Sequence, residues 1–215
     1  NNRAGWGTSN AKFLDELYGN SWVITQSGGS NDVQFSNYSL SVPMNEYKSI
    51  NLIFDATYNG DRARKWEMGT LTDGIFFMRA GEGASEARHQ GGKISSMTSD
   101  GKYAIAEIVM YTNANWVGTL TAMRIDPYQS MESAAIRGIE FVPVEEFDET
   151  EIQLSGLTAP VAGLKAVTSL KETSGIANVK EIKWSPALAN GRFEELTAYT
   201  ATITLEPKTG SGKRF

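Results

Sequence analysis

The segment Lys48-Ser49-Ile50-Asn51-Leu52-Ile53-Phe54-Asp55-Ala56-Thr57 decides the fold class of this chain. Ile50, Leu52, Phe54 and Ala56 fall on alternate positions, the period of a strand that buries one face. Similar short segments follow at Gly74–Ala80 (GIFFMRA), Lys102–Tyr111 (KYAIAEIVMY), Thr119–Asp126 (TLTAMRID) and Ala135–Val142 (AIRGIEFV). Pro127 and Pro143 are read as the stops of the last two, because proline cannot donate to a strand ladder. Asn59-Gly60-Asp61, Asp73-Gly74, Gly91-Gly92 and Asp100-Gly101 read as turns. On the N-terminal side, Trp22 heads a strand (SWVIT), and Ala11–Tyr18 (AKFLDELY) reads as one short helical turn. Many short strands at near-regular spacing imply an all-β, antiparallel sandwich, not a parallel sheet with crossover helices.

The composition is consistent with a globular chain. It has 215 residues, 40% hydrophobic and 21% charged, enough for one large domain or two small ones. No apolar run approaches the roughly 18 residues of a bilayer span, so no membrane insertion is expected. A net charge of −5 and a pI near 5.1 argue against nucleic acid, whose phosphates demand Lys and Arg. The absence of cysteine removes disulfides, thiolate nucleophiles and cysteine metal sites. His89 is the single histidine, so a two-histidine metal site is excluded and a Ser-His-Asp triad would have to use it. It lies in ASEARHQGG (84–92), which reads as a solvated connection. The glycines of Gly81-Glu82-Gly83 and Gly91-Gly92 lack the lysine and helix start of a phosphate cradle and read as loops. The chain begins at Asn1 and is read as a processed segment, with no signal peptide to interpret.

After Phe141 the composition shifts. Pro143 precedes an acidic run, Glu145, Glu146, Asp148, Glu149 and Glu151, which reads as a solvated hinge. The expected division is a β-sandwich at 1–144, an acidic linker at 145–150 and a smaller β-rich unit at 151–215. Strands of the small unit are expected at Glu151–Leu157, Val179–Trp184 and Ala198–Leu205, the last a clean Tyr/Ala/Ile/Leu against Thr alternation.

Both units resemble known families. Ala159–Phe215, with APVAG, IKWSPA and AYTATITLEPKTG, resembles bacterial immunoglobulin-like repeats of cell-surface proteins. The resemblance implies an incomplete immunoglobulin-like domain, because that family continues with two further strands beyond the position of Phe215. Trp22–Val142 resembles carbohydrate-binding-module-like β-sandwich domains of surface-attached polysaccharide-degrading enzymes. Tyr47-Lys48-Ser49-Ile50, Ser85-Glu86, Trp116-Val117-Gly118-Thr119-Leu120 and Met123-Arg124-Ile125-Asp126-Pro127 carry that likeness. Arg137-Gly138 stands where the family often has an aspartate and an aromatic. The implied fold is a jelly-roll-like sandwich of about 142 residues.

Ligand chemistry is sought among aromatic and guanidinium side chains, because sugars offer apolar C–H faces and hydrogen-bonding hydroxyls. Trp22, Trp116 and Trp184 read as structural, and Trp6 is unassigned. Trp66 lies in the polar segment YNGDRARKWEMG (58–69), where no strand period demands burial. With Tyr58, Arg62 and Arg64 it forms a candidate sugar platform; the alternative is a loop tryptophan capping the core. Arg79 and Arg88 are candidate glycan contacts, or partners of Glu86 or Glu107. Arg124 and Asp126 should face the same side of one strand as a structural ion pair. Glu86, Glu107, Asp126 and Glu140 lie on candidate strands, but no spacing marks a catalytic pair. No cofactor is implied, and a structural calcium would fall to Asp126 or Asp100. The resulting expectation is a non-catalytic polysaccharide-binding module of a larger secreted or cell-surface bacterial protein, joined to other domains. The alternative is a ligand-free structural or stalk domain.

Overall fold

The computed structural model describes residues 5–27, 31–129, 132–146, 151–208 and 213–214. The chain divides into two compact units, Asn1–Pro143 and Val144–Phe215. Residues 147–150, which hold Asp148 and Glu149 of the acidic run, lie outside the described residues. Both units are all-β, with short 3₁₀ segments at Met44–Glu46 and Glu86–Arg88.

The first unit contains β1 (Trp6–Ser9), β2 (Ala11–Tyr18), β3 (Ser21–Gln26), β4 (Asp32–Asn37), β5 (Val42–Pro43), β6 (Tyr47–Asp55), β7 (Leu71–Met78), β8 (His89–Met97), β9 (Tyr103–Val109), β10 (Thr119–Leu120), β11 (Ala122–Gln129) and β12 (Ser133–Pro143). Ten of these form one antiparallel sheet in the order β1-β4-β11-β7-β8-β9-β6-β12-β3-β2, while β5 pairs with β10. The two ends of that order, β1 and β2, are separated in sequence by Asn10 alone, whose φ of 53° suits asparagine. A sheet whose first and last strands share one linking residue has to curl, so this one is nearly closed around its core.

The alternation of β6 has a direct structural counterpart. Ile50, Leu52 and Phe54 point inward with Ile24, Phe35, Ile75, Phe77, Ile108 and Ile125, all essentially inaccessible. Two tryptophans, Trp66 and Trp116, enter this core from loops. Trp116 donates its indole N–H to the Tyr47 carbonyl at 2.9 Å and meets Phe77 edge-on.

Four local readings are corrected. Ala11–Tyr18 is a strand, not a helical turn: it pairs with β3 through a register shift between Phe13 and Leu17, and tertiary pairing overrides its helix-like spacing. Asp73-Gly74 lies inside β7, not at its start. Gly74 adopts φ +120°, and a Cβ there would stand 2.2 Å from the Gln90 carbonyl oxygen, so this is a glycine kink where two strands press together. Gly91-Gly92 is not a turn but the middle of β8, a polar strand (HQGGKISSM) that alternation alone does not reveal. Pro127 does not stop its strand; β11 runs to Gln129, with a bulge between Ile125 and Tyr128 absorbing the missing donor.

The second unit contains β13 (Glu145–Glu146), β14 (Leu154–Ser155), β15 (Lys171–Glu172), β16 (Ala177–Ser185), β17 (Thr200–Pro207) and β18 (Lys213–Arg214). Glu145–Glu146 pairs in parallel with Lys213–Arg214, so the start of the acidic run is paired backbone and not a free linker. The expected strand over Glu151–Leu157 shortens to β14. The β16–β17 ladder is this unit's main sheet, and a ring chain packs on it: Trp184 against Phe193 at 4.9 Å and Phe193 against Tyr199 at 5.0 Å.

Candidate functional site

The segment between β6 and β7 carries three of the expected ligand residues and treats them differently. It is tied to β12 by Ser133, whose N–H donates to the Arg62 carbonyl (2.8 Å), whose carbonyl accepts from the Arg64 N–H (2.8 Å), and whose hydroxyl donates to the Asp61 carbonyl (2.5 Å). Beneath it Tyr58, Val23 and Ala135 form a small satellite cluster. Farther on, the chain sends Trp66 into the main core. Trp66 is 3% exposed, stacked on Phe54 at 3.9 Å and 15°, with Tyr128 edge-on and the Arg64 guanidinium 5.1 Å over its ring. Arg64 itself is held by Glu132 at 2.6 Å. The sugar platform expected at Trp66 is therefore replaced by a core cap, since no face of the ring is open to a ligand. A residue that reaches the core from a loop leaves no period-two trace.

Tyr58 and Arg62 do come together. With Lys12, Leu14, Thr25, Gln26, Asp61 and Ser133 they line a cavity of about 270 Å³. Tyr58 is itself buried, so it lends this cavity a hydroxyl rather than a ring face. Arg79 and Arg88 converge elsewhere, on one carboxylate: Arg79 is bidentate to Glu82 (2.7 to 3.1 Å) and Arg88 lies 3.6 Å from it. Hydrogen bonds from Arg79 hold the Glu82 carboxyl down at about 2. Both guanidiniums thus brace the loop between β7 and β8, and their partner is Glu82 rather than Glu86 or Glu107.

A second polar network lies on the outer face of β8, β7, β11 and β4. His89 stacks on Phe76 at 4.3 Å and its Nε2 contacts the Asp73 carbonyl at 2.8 Å, so it is half-buried, not solvated. The Arg124 guanidinium lies 4.0 Å from the Phe76 ring centroid and binds both oxygens of Asp126, at 2.9 and 2.5 Å. This is the same-side ion pair read from the sequence. Asp32, Asp73 and Asp126 bring carboxylate oxygens within 4.8 Å of one another. Burial pushes the Asp126 carboxyl up to about 6 against the pull of Arg124, and the charges of Asp32 and Asp73 add to the rise. These are oxygen donors of the kind calcium takes, although both Asp126 oxygens already face Arg124. Asp100, the other calcium candidate, caps a turn, accepting from the Thr98 hydroxyl and the Lys102 N–H.

A groove of about 430 Å³ lies over β7, β8 and β9, lined by Leu71, Thr72, Gln90, Gly91, Gly92, Lys93, Glu107 and Val109. Its floor is low at Gly91, which carries no side chain, whereas Gly92 turns its Cβ position to the core side. Gly92 cannot carry a side chain, since a Cβ would meet Ile108 at 2.6 Å. Strand register extends the groove into a row across five adjacent strands: Leu71, Lys93, Glu107, Asn51 and Glu140 are successive direct partners. Within the row Glu107 accepts from the Ser49 hydroxyl at 2.9 Å and Glu140 from the Asn51 amide at 3.0 Å. Leu71, at the near end, is 69% exposed. Sequence reading missed this surface because β8 was not visible as a strand. It also missed Tyr38, a 69% exposed aromatic in a polar stretch (SNYS) carrying the same cue that drew attention to Trp66.

Fold and site together define an all-β protein with a nearly closed antiparallel sheet and a groove across its outer face that continues into a row of polar side chains. No helix among the described residues is long and apolar enough to cross a membrane. No family model, curated protein or solved structure matches the chain.

Proposed function

We propose that the first unit is a non-catalytic glycan-binding module, a jelly-roll-like sandwich whose outer groove over β7–β9 receives a polysaccharide chain. The observation that carries this reading is the in-register row from Leu71 to Glu140. Five strands at about 4.8 Å spacing give a track roughly 19 Å long, long enough for several sugar rings laid end to end. The row and the groove beside it offer what a sugar needs: exposed apolar carbon at Leu71, partly exposed apolar carbon at Val109, and an ammonium, a carboxylate and an amide at Lys93, Glu107 and Asn51. The low glycine floor lets a flat ring approach the backbone. In this reading the second unit is an immunoglobulin-like spacer in a secreted or cell-surface polypeptide.

A second reading, a ligand-free structural domain, is favoured by the burial of Trp66 and Tyr58, which removes the aromatic platform sugar sites commonly use. Affinity electrophoresis against a panel of neutral and acidic polysaccharides separates the two. The glycan reading expects retardation by at least one polymer, lost in a Leu71→Ala/Lys93→Ala double variant whose two sites are both exposed. Retardation by none refutes it in favour of the structural reading.

A further inference from the structure

The cavity between β2, β3 and the 58–62 segment is built differently from the groove, and its chemistry is more specific. Two cations line it, Lys12 and Arg62. Among the described residues Lys12 has no carboxylate partner. Arg62 has only Asp61, 3.6 Å away with a side chain 93% exposed, a contact that water screens strongly. Asp61 is also a wall, but its carboxylate is turned to solvent; the remaining polar walls are neutral: Tyr58, Thr25, Gln26 and Ser133.

Two backbone features shape it. Gly60 leaves room for Tyr58, because a Cβ there would stand 2.2 Å from the phenol oxygen; glycine thus lets the ring fold back and present its hydroxyl. Arg62 sits at φ +52°, a left-handed conformation a side chain rarely adopts, and its carbonyl is held by the Ser133 N–H at 2.8 Å. A strained residue fixed by a buried serine, with its guanidinium at a polar cavity, has the character of a ligand position. At about 270 Å³ the cavity is below the roughly 300–1,000 Å³ of sites for drug-sized ligands, a size for one sugar ring rather than a chain.

We infer that this cavity binds a single carboxylate-bearing sugar unit, its carboxylate between Arg62 and Lys12 and its hydroxyls on Tyr58, Thr25 and Gln26. The inference rests on the glycan reading above and adds acidic-sugar selectivity to it, at a separate place. A guanidinium meets a carboxylate in two parallel hydrogen bonds, and the neutral hydrogen-bonding walls match hydroxyls rather than a second charge.

The test is a ¹⁵N-resolved titration of the full chain at pH 7 with trigalacturonate, with galactotriose, and with inorganic phosphate. Trigalacturonate should move the amides of Lys12, Thr25 and Arg62 with saturation, while galactotriose and phosphate leave them in place. Arg62→Gly should weaken the response at least tenfold; glycine takes φ +52° freely, so this variant keeps the fold. Still amides with trigalacturonate, or an undiminished response in Arg62→Gly, overturn the inference. A phosphate response equal to that of trigalacturonate overturns the sugar part. Galactotriose shifts at Lys93 and Glu107 with a silent cavity would leave the groove standing and remove only this proposal; silence at both sites would remove both.

Discussion

Trp66→Ala should unfold the first unit by a core mechanism. A buried tryptophan removes about 200–250 Å² from water, worth about 5–6 kcal/mol at 25 cal/mol per Å². Its indole Nε1 is buried without a hydrogen-bond partner among the described residues. Deleting the ring therefore relieves a desolvation cost of roughly 1–2 kcal/mol. Phe54, parallel at 3.9 Å, and Tyr128, edge-on, come from two different strands and cannot both collapse into the vacated space. The net loss should be about 3–5 kcal/mol. Trp66→Phe keeps a ring on Phe54 and discards the unbonded N–H, so its loss should stay near 1–2 kcal/mol. Urea denaturation followed by far-ultraviolet circular dichroism reads both, as a lowered midpoint with an unchanged slope. A loss below about 1 kcal/mol in Trp66→Ala, with glycan binding abolished, would refute the core assignment and restore the ring as a ligand platform.

Gly74→Ala should be among the most damaging small substitutions, about 3 kcal/mol or more, because the methyl group meets the Gln90 carbonyl at 2.2 Å and φ is +120°; thermal unfolding checks it, and a melting point within a degree or two of the parent would contradict the strand crossing at that point. Asp126 gives a signed pH effect. Its folded pKa of about 6 lies above the usual 3.8, so the folded state holds the proton more tightly, and its contribution is fully present below about pH 4 and lost as pH rises to about 6. Two units correspond to at most roughly 3 kcal/mol, so the stability difference between parent and Asp126→Asn, measured by urea titration from pH 4 to 7, should change by up to that amount and level off above pH 6; a difference independent of pH would refute the raised value.

The amino-acid sequence by itself determined the all-β class, through the alternation of Ile50, Leu52 and Phe54, because a strand that buries one face must alternate. It also determined the Arg124–Asp126 pair, because residues two apart on a strand share a face. The two long strands of the second unit, expected at Val179–Trp184 and Ala198–Leu205, were legible for the same reason, while their pairing came from the structure. Only the tertiary structure decided what depended on distant partners. β8 is polar and glycine-bearing, and it becomes a strand because β7 and β9 supply ladders on both sides. Gly92 is required by Ile108 and Gly74 by Gln90, neither of which local pattern reveals. Trp66 reaches the core from a loop, where burial has no periodicity to announce it. The groove row from Leu71 to Glu140 joins residues up to 89 positions apart in the chain, and register, which a sequence does not display, is what places them side by side.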